Sequence, residues 1–144
     1  MFAPTQEQVR RFFCEAWAKS QTGQPMQAIE QLAAGWVAEH PEWHAELADA
    51  DAAVARDYGA GAVGGNPFLH LSMHLSISEQ CSIDQPAGIR QAVELLAARR
   101  GDLHAAHHEV MECLGQMLAD AQARRGEPDG AAYLECVRRH ATRA

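Results

Sequence analysis

The chain has 144 residues and a formal net charge of -7, and 47% of its residues are apolar and 22% charged. This length and composition indicate one folded domain over residues 1–144 and exclude a disordered chain. The acidic balance argues against nucleic acid and against an anionic membrane surface as partners. Since we find neither an apolar run of membrane-spanning length nor a signal-peptide pattern at the N-terminus, we expect a cytoplasmic protein without a membrane partner.

Helix-forming residues dominate the sequence, and β-branched residues never alternate with polar ones. This predicts an all-α fold, a compact bundle of about five to six helices in a single domain. The first helix is expected to follow a capping box that begins at Thr5 and to end near Gly23. Pro25 is expected to open the second helix, and Pro41 to stop or kink it. Residues 42–58 then form either a continuation or a separate helix.

The second half of the sequence carries further helix boundaries. The Asn-Pro pair at residues 66–67 predicts an N-cap and a first helical residue, and that helix is expected to end near Asp84. Pro86 is expected to open the next helix, which Gly101 can cap, and Asp102 can then begin another. These last two could instead be one long, kinked helix. A short helix is predicted at the C-terminus.

Two histidines in the segment NPFLHLSMHLSISEQ, His70 and His74, are four residues apart. On an α-helix they project from one face, and their neighbours Leu71, Met73 and Ile77 place them on the apolar side. A single buried histidine is usually satisfied by a backbone carbonyl. Two stacked on one apolar face have a stronger need for a common partner, and a metal ion would satisfy both.

Further histidines repeat this spacing. In HAAHHEVME, His104, His108 and Glu112 follow one another at intervals of four, although the apolar stripe of that helix is centred nearer His107, which could replace His104 as a ligand. In EHPEWHAEL, His40 and His44 have the same spacing. The alternative for His40 is a helix-end role, in which a cation complements the helix dipole.

These patterns predict a site for one or two transition-metal ions. Its predicted ligands are His40, His44, His70, His74, His104, His108 and Glu112. Imidazole with carboxylate suits iron or zinc first, with manganese or copper as alternatives. An ion with an open coordination position would activate water or dioxygen, but the pattern does not decide whether the protein is an enzyme. The competing hypothesis is an interaction or assembly module with structural histidines, for example a homo-oligomer that buries Trp36 and Trp43.

Four sequence blocks, EHPEWHAEL, NPFLHLSMHLSISEQ, DQPAGIRQAVELLAARRGDLHAAHH and MECLGQMLADAQARRGEPDGAAYLECVRR, carry a family resemblance over about residues 8–139. They resemble the bacterial family known as domain of unknown function 1841. The resemblance implies that HPEWH, HLSMH and HAAHHEVME are the family's motif blocks, and it implies no activity. The spacing is also similar to that of hemerythrin-like bundles, but the order differs and no final HxxxxD is present, which leaves only an analogy.

Two other features suggest different chemistry. Residues 59–64 match GxGxxG, but without a preceding strand they are better explained as a connector than as a dinucleotide site. The four cysteines form no CxxC pair, which predicts free thiols in a reducing compartment. Cys81 could be a soft metal ligand or a redox thiol, although a buried apolar role is the simpler explanation.

Overall fold

The computed structural model describes residues 5–58 and 65–143, and every regular element in these ranges is helical. The α-helices are α1 (Gln6–Thr22), α2 (Ala28–Ala38), α3 (His44–Leu47), α4 (Ala50–Ala55), α5 (Pro67–Ile83), α6 (Ile89–Arg100), α7 (Leu103–Ala123) and α8 (Gly130–Thr142), with a 3₁₀ turn, Pro41–Trp43, between α2 and α3. The all-α prediction is confirmed. The predicted number of helices was too low, because the described ranges hold eight.

Short helices account for most of this difference. Residues 42–58 form neither a continuation of α2 nor one separate helix, because α3 ends at Leu47 and α4 begins again at Ala50. The restart is caused by Asp49, whose side chain accepts a hydrogen bond from the Ala52 amide and caps α4. The alternative of one kinked helix over α6 and α7 was wrong. Gly101 ends α6 in the left-handed conformation, with φ 76°, and the Asp102 carboxylate caps α7.

Several predicted helix boundaries are confirmed. Thr5 and Gln8 form the capping box of α1, and Gly23 ends that helix in the left-handed conformation. The Asn66 side chain accepts hydrogen bonds from the first amides of α5, as expected of an N-cap. The predicted role of Pro25 was wrong, because α2 begins three residues later.

Competing caps explain the late starts of α2 and α6. Gln27 and Glu30 form a capping box that fixes the start of α2 beyond Pro25. Pro86 likewise does not open α6, which begins at Ile89. The Asp84 carboxylate accepts hydrogen bonds from the amides of Gly88 and Arg90 and so satisfies the first turn of α6.

The chain divides into two compact units, unit 1 (Met1–Leu75) and unit 2 (Ser76–Ala144), and the division falls within α5. The core of unit 1 includes Phe13, Val37, Phe68 and Leu71, all at most 2% exposed. In unit 2, α6, α7 and α8 pack on one another and bury apolar residues that include Ile89, Leu96, Val110 and Val137. The single domain over residues 1–144 stays a prediction.

The glycine-rich stretch at residues 59–64 lies outside the described residues. Within the described ranges, no helix combines the length and the apolar character needed to cross a membrane.

Candidate metal centre

His70 and His74 lie on successive turns of α5, as their spacing predicts. The His74 side chain is completely buried, with Leu71 and Ile77 also fully buried beside it on the same helix. The Nε2 atoms of the two histidines are 3.1 Å apart. The apolar face of α5 therefore brings two imidazole nitrogens together inside the protein.

His40 joins this pair from the end of α2. It is 3% exposed, and its Nδ1 lies 2.7 Å from the carbonyl oxygen of Trp36, one turn earlier in the chain. Because a carbonyl only accepts hydrogen bonds, Nδ1 carries the proton and the lone pair of the ring is on Nε2. A backbone carbonyl that holds Nδ1–H in this way is the usual support of a metal-binding histidine.

Together, His40, His70 and His74 form what we call the histidine cluster. Each offers a ring nitrogen, and these nitrogens all lie within 4.8 Å of one another. The ring centroid of His40 lies 5.0 Å from that of His70 and 4.9 Å from that of His74. The cluster therefore needs only small side-chain movements to place three nitrogens on one ion.

Two tryptophans hold the rings of the histidine cluster in place. The indole of Trp36 stacks on His74, with ring centroids 4.0 Å apart and planes 14° apart. The indole of Trp43 stacks on His40 at 4.7 Å and meets the edge of His70 at 5.3 Å. Trp36 is itself only 8% exposed, so this tryptophan is already buried within the chain and is not available to an oligomer interface.

The spacing between the two nitrogens on α5 fits metal coordination. Ligand nitrogens at 2.0–2.1 Å from a tetrahedral zinc ion would be about 3.3 Å apart, and at a right angle they would be about 2.9 Å apart. The observed 3.1 Å between the Nε2 atoms of His70 and His74 lies between these values, and it is also the length of an N–H···N hydrogen bond between the two rings. The donor set of the cluster therefore fits a divalent transition metal.

His44, the other histidine of the HPEWH block, has a different environment. Its Nε2 lies 2.8 Å from the carbonyl oxygen of Val37, and its ring packs on Trp17 with centroids 4.3 Å apart. Among the described residues, His44 belongs to no group of potential metal ligands whose ligand atoms all lie within 4.8 Å of one another. The 3₁₀ turn at Pro41 gives His40 and His44 this difference, because they do not share one continuous helix.

In unit 2, α7 carries the HAAHHEVME block. His104 and His108 lie close together, with ring centroids 4.5 Å apart, and a ring nitrogen of each lies within 4.8 Å of the other. His107 is 2% exposed, as the centre of the apolar stripe indicated, and burial lowers its pKa to about 4. Glu112 is exposed.

The cysteines differ from the sequence-based prediction. Cys113 of α7 and Cys136 of α8 form a disulfide, which the absence of CxxC pairs did not reveal because the two residues are 23 positions apart. Cys14 and Cys81 are free thiols, and burial raises the pKa of each to about 11. Since a nucleophile or a redox thiol requires the thiolate, Cys81 is better explained as a half-buried apolar group.

One further group of potential ligands was missed by sequence reasoning. Cys113, Cys136 and His140 offer ligand atoms that all lie within 4.8 Å of one another. The available signal was the four-residue interval between Cys136 and His140 in ECVRRH, which repeats the spacing used to find the histidines.

Fold and site define a helical protein with buried, clustered histidines. The model of the family described as "Domain of unknown function (DUF1841)" matches residues 5–139, and the chain belongs to this family. The resemblance of the sequence blocks to that family is thereby confirmed. Neither a curated protein nor a solved structure matches the chain.

Proposed function

We propose that the protein binds a divalent transition metal through the histidine cluster. The observation that carries this proposal is the convergence of three imidazole nitrogens within 4.8 Å, from residues that are buried or half-buried. The backbone carbonyl of Trp36 gives His40 the tautomer that a ligand needs. His70 and His74 supply the closely spaced pair.

The chemistry of these donors favours zinc. Three imidazoles are a known ligand set for zinc, whereas mononuclear iron(II) sites commonly use two histidines and a carboxylate. The histidine cluster contains no carboxylate. Iron, manganese and copper remain the alternative ions. In a competition experiment copper(II) is expected to bind most tightly, because of its intrinsic affinity for nitrogen ligands.

The contributions of His44, His104, His108 and Glu112 stay a prediction from their sequence spacing. An ion held by three histidines keeps a position for another ligand, and at that position a zinc ion lowers the pKa of water and polarises carbonyl or phosphoryl oxygens. The role of the chain's own residues is to hold the ion and to limit its access to water. Catalysis, a cytoplasmic location and the absence of a nucleic-acid partner also stay proposals.

Equilibrium dialysis tests the proposal. Metal-stripped, untagged protein is dialysed against buffered Zn²⁺, Mn²⁺, Cu²⁺ or, without oxygen, Fe²⁺, and the bound metal is counted by plasma mass spectrometry. We expect near-stoichiometric binding that is lost in His70→Ala/His74→Ala. The matched control is Ser72→Ala, which removes a hydroxyl from the same helix but no imidazole. Circular dichroism verifies the helicity of each variant.

Separate variants then test the predicted additional ligands. His104→Ala/His108→Ala, Glu112→Gln and His44→Ala would each weaken the same binding event if these residues share the ion. A failure of all four wild-type titrations would contradict the proposal.

The second candidate function is an interaction or assembly module with structural histidines. It is favoured by one observation: among the described residues, no buried side-chain nitrogen or oxygen lacks a hydrogen-bond partner. The stacking of His74 on Trp36 and of His40 on Trp43 would then serve packing alone. This function predicts no metal binding, and light scattering of the purified chain would measure whether it forms a homo-oligomer.

A further inference from the structure

A second candidate site lies in unit 2, where α7 faces α8. Cys136 and His140 are one turn apart on α8, so their side chains project from the same face. Cys113 reaches them from α7, and its sulfur, the Cys136 sulfur and a ring nitrogen of His140 all lie within 4.8 Å of one another. Cys113 is 1% exposed, whereas Cys136 and His140 are half-buried.

A carboxylate supports the histidine of this group. Glu109 lies one turn before Cys113 on α7, and its Oε1 is 3.0 Å from His140 Nδ1. Since an ionised carboxylate only accepts, His140 donates from Nδ1 in this hydrogen bond and carries its lone pair on Nε2. Arg100 of α6 donates to both oxygens of Glu109 and holds the pKa of that carboxyl below its usual value.

This arrangement repeats the outer support of metal-binding histidines, in which a carboxylate fixes the ring and its tautomer. A disulfide alone has no need of it. A His140 ring nitrogen within 4.8 Å of two cysteine sulfurs, in a ring held by an ion-paired carboxylate, matches the donors of a Cys₂His ligand set.

We propose that Cys113, Cys136 and His140 form a redox-controlled zinc site. In the oxidised protein the two sulfurs are bonded to each other and do not bind the ion. A cellular dithiol transfers two electrons and two protons: the S–S bond breaks, two thiols form, and the dithiol becomes a disulfide. Zn²⁺ then binds both sulfurs as thiolates together with His140, and the two thiol protons pass to solvent.

Access to this site is from the side of Cys136 and His140. The exposed Arg143 guanidinium lies beside the His140 ring, with its Nη2 2.9 Å from Nδ1 and 3.3 Å from Nε2. Because Nδ1 already carries the proton donated to Glu109, Arg143 can donate only to the lone pair on Nε2, the nitrogen that the metal needs. Its positive charge opposes an incoming cation, so its flexible side chain must move into solvent when the metal binds. Arg143→Ala is therefore expected to bind the metal at least as tightly as the wild-type chain.

Cobalt(II), a spectroscopic substitute for zinc, tests this proposal on the full chain. The protein is reduced with a phosphine, which becomes its oxide as water supplies the oxygen, and is then separated from the reagent without oxygen. We expect a sulfur-to-cobalt charge-transfer absorption in the reduced chain, none in the oxidised chain, and displacement of cobalt by Zn²⁺. Because cobalt bound only by histidines lacks this absorption, the result is independent of the histidine cluster.

Variants assign the absorption to residues. Cys136→Ser is expected to abolish it, Cys81→Ser to leave it unchanged, and His140→Gln or Glu109→Gln to weaken cobalt binding at least tenfold. Alkylation of the reduced wild-type chain provides a measurement that does not depend on variant folding. Zn²⁺ should protect the half-buried Cys136, whereas burial already shields Cys113 from the reagent. Absence of the absorption in the reduced chain, its persistence in Cys136→Ser, or alkylation of Cys136 at the same rate with and without Zn²⁺ would overturn the proposal.

Discussion

Replacement of His74 by leucine separates a ligand from a packing residue. His74 is completely buried and stacks on Trp36 at 4.0 Å. Leucine has a similar size and needs no hydrogen bond. The change removes the hydrogen bond with His70 and the ring contacts with Trp36, His40 and His70, each worth about 0.5–1.5 kcal/mol, and replaces them with apolar contacts and burial of comparable total value. In the metal-free protein we therefore expect the free energy of unfolding to change by no more than about 1–2 kcal/mol.

Added metal is expected to raise the free energy of unfolding of the wild-type chain by more than this substitution changes it, and that of His74→Leu by much less. A metal present at 100 times its Kd raises the free energy of unfolding by about 2.7 kcal/mol, which corresponds to roughly 8 °C in Tm for a chain of this size. Loss of one ligand is expected to weaken binding at least 100-fold, since loss of an outer hydrogen bond alone weakens it by about 10- to 100-fold. At the same metal concentration, His74→Leu would then gain only about 0.4 kcal/mol, or roughly 1 °C.

Tryptophan fluorescence is the suitable probe for this experiment. All three tryptophans, Trp17, Trp36 and Trp43, belong to unit 1, which also holds the histidine cluster. Unfolding by urea or heat is followed by their emission, with Zn²⁺ or with a chelator. If Zn²⁺ raises the free energy of unfolding of the wild-type chain and of His74→Leu by the same amount, His74 is not a ligand. A wild-type chain that no metal stabilises would refute the assignment as well.

Further predictions concern pH, the tryptophan support, the disulfide and an ion pair. Zinc affinity measured by competition titration should fall as the pH is lowered, because protons compete with the metal for the imidazole nitrogens. Trp43→Leu should weaken zinc binding about tenfold, because it removes the ring stacked on His40. Reduction of the Cys113–Cys136 disulfide, with a chelator present, should lower the free energy of unfolding by about 3 kcal/mol in urea titrations, because the bond closes a loop of 23 positions. The hydrogen bond from Lys19 lowers the pKa of the Glu30 carboxyl below 4.5. The stabilisation of the folded chain by this ion pair is therefore present above pH 4.5 and is lost as the pH falls through the pKa of Glu30 in the folded state. Glu30→Gln should therefore reduce the pH dependence of stability in this acid range, and an unchanged dependence would contradict the role of this pair.

Local signals in the sequence predicted much of the helical structure. The capping box at Thr5, the N-cap at Asn66 and the cap at Asp102 depend on residues within three positions of one another, and all three are present. The apolar face that carries His70 and His74 was predictable because helical periodicity alone determines it. The same periodicity indicated that His107 is directed inward.

The errors arose where distant or competing groups decide the structure. Pro25 and Pro86 are compatible with a helix start, but the side chains of Glu30 and Asp84 satisfy later amides and move the start toward the C-terminus. The pairing of Cys113 with Cys136 depends on the packing of α7 against α8. No periodic pattern within one helix contains that information.

The candidate site was predictable in part for the same reason. The spacing predicted that His70 and His74 lie together on one face of α5, but the approach of His40 depends on where α2 ends and on the turn at Pro41. The tautomer of His40 follows from the carbonyl of Trp36, a backbone group that side-chain motifs do not reveal. The different surroundings of His44 arise from the same turn.

X-ray absorption at the zinc edge tests the central claim most directly. The oxidised, zinc-loaded chain is compared with His70→Ala/His74→Ala, because the Cys113–Cys136 disulfide then withholds sulfur ligands. Our account predicts at least three imidazole nitrogens at about 2.0–2.1 Å from the zinc ion, and loss of that signal in the variant. A zinc shell of oxygen atoms alone, or an imidazole shell that the double substitution leaves unchanged, would contradict it.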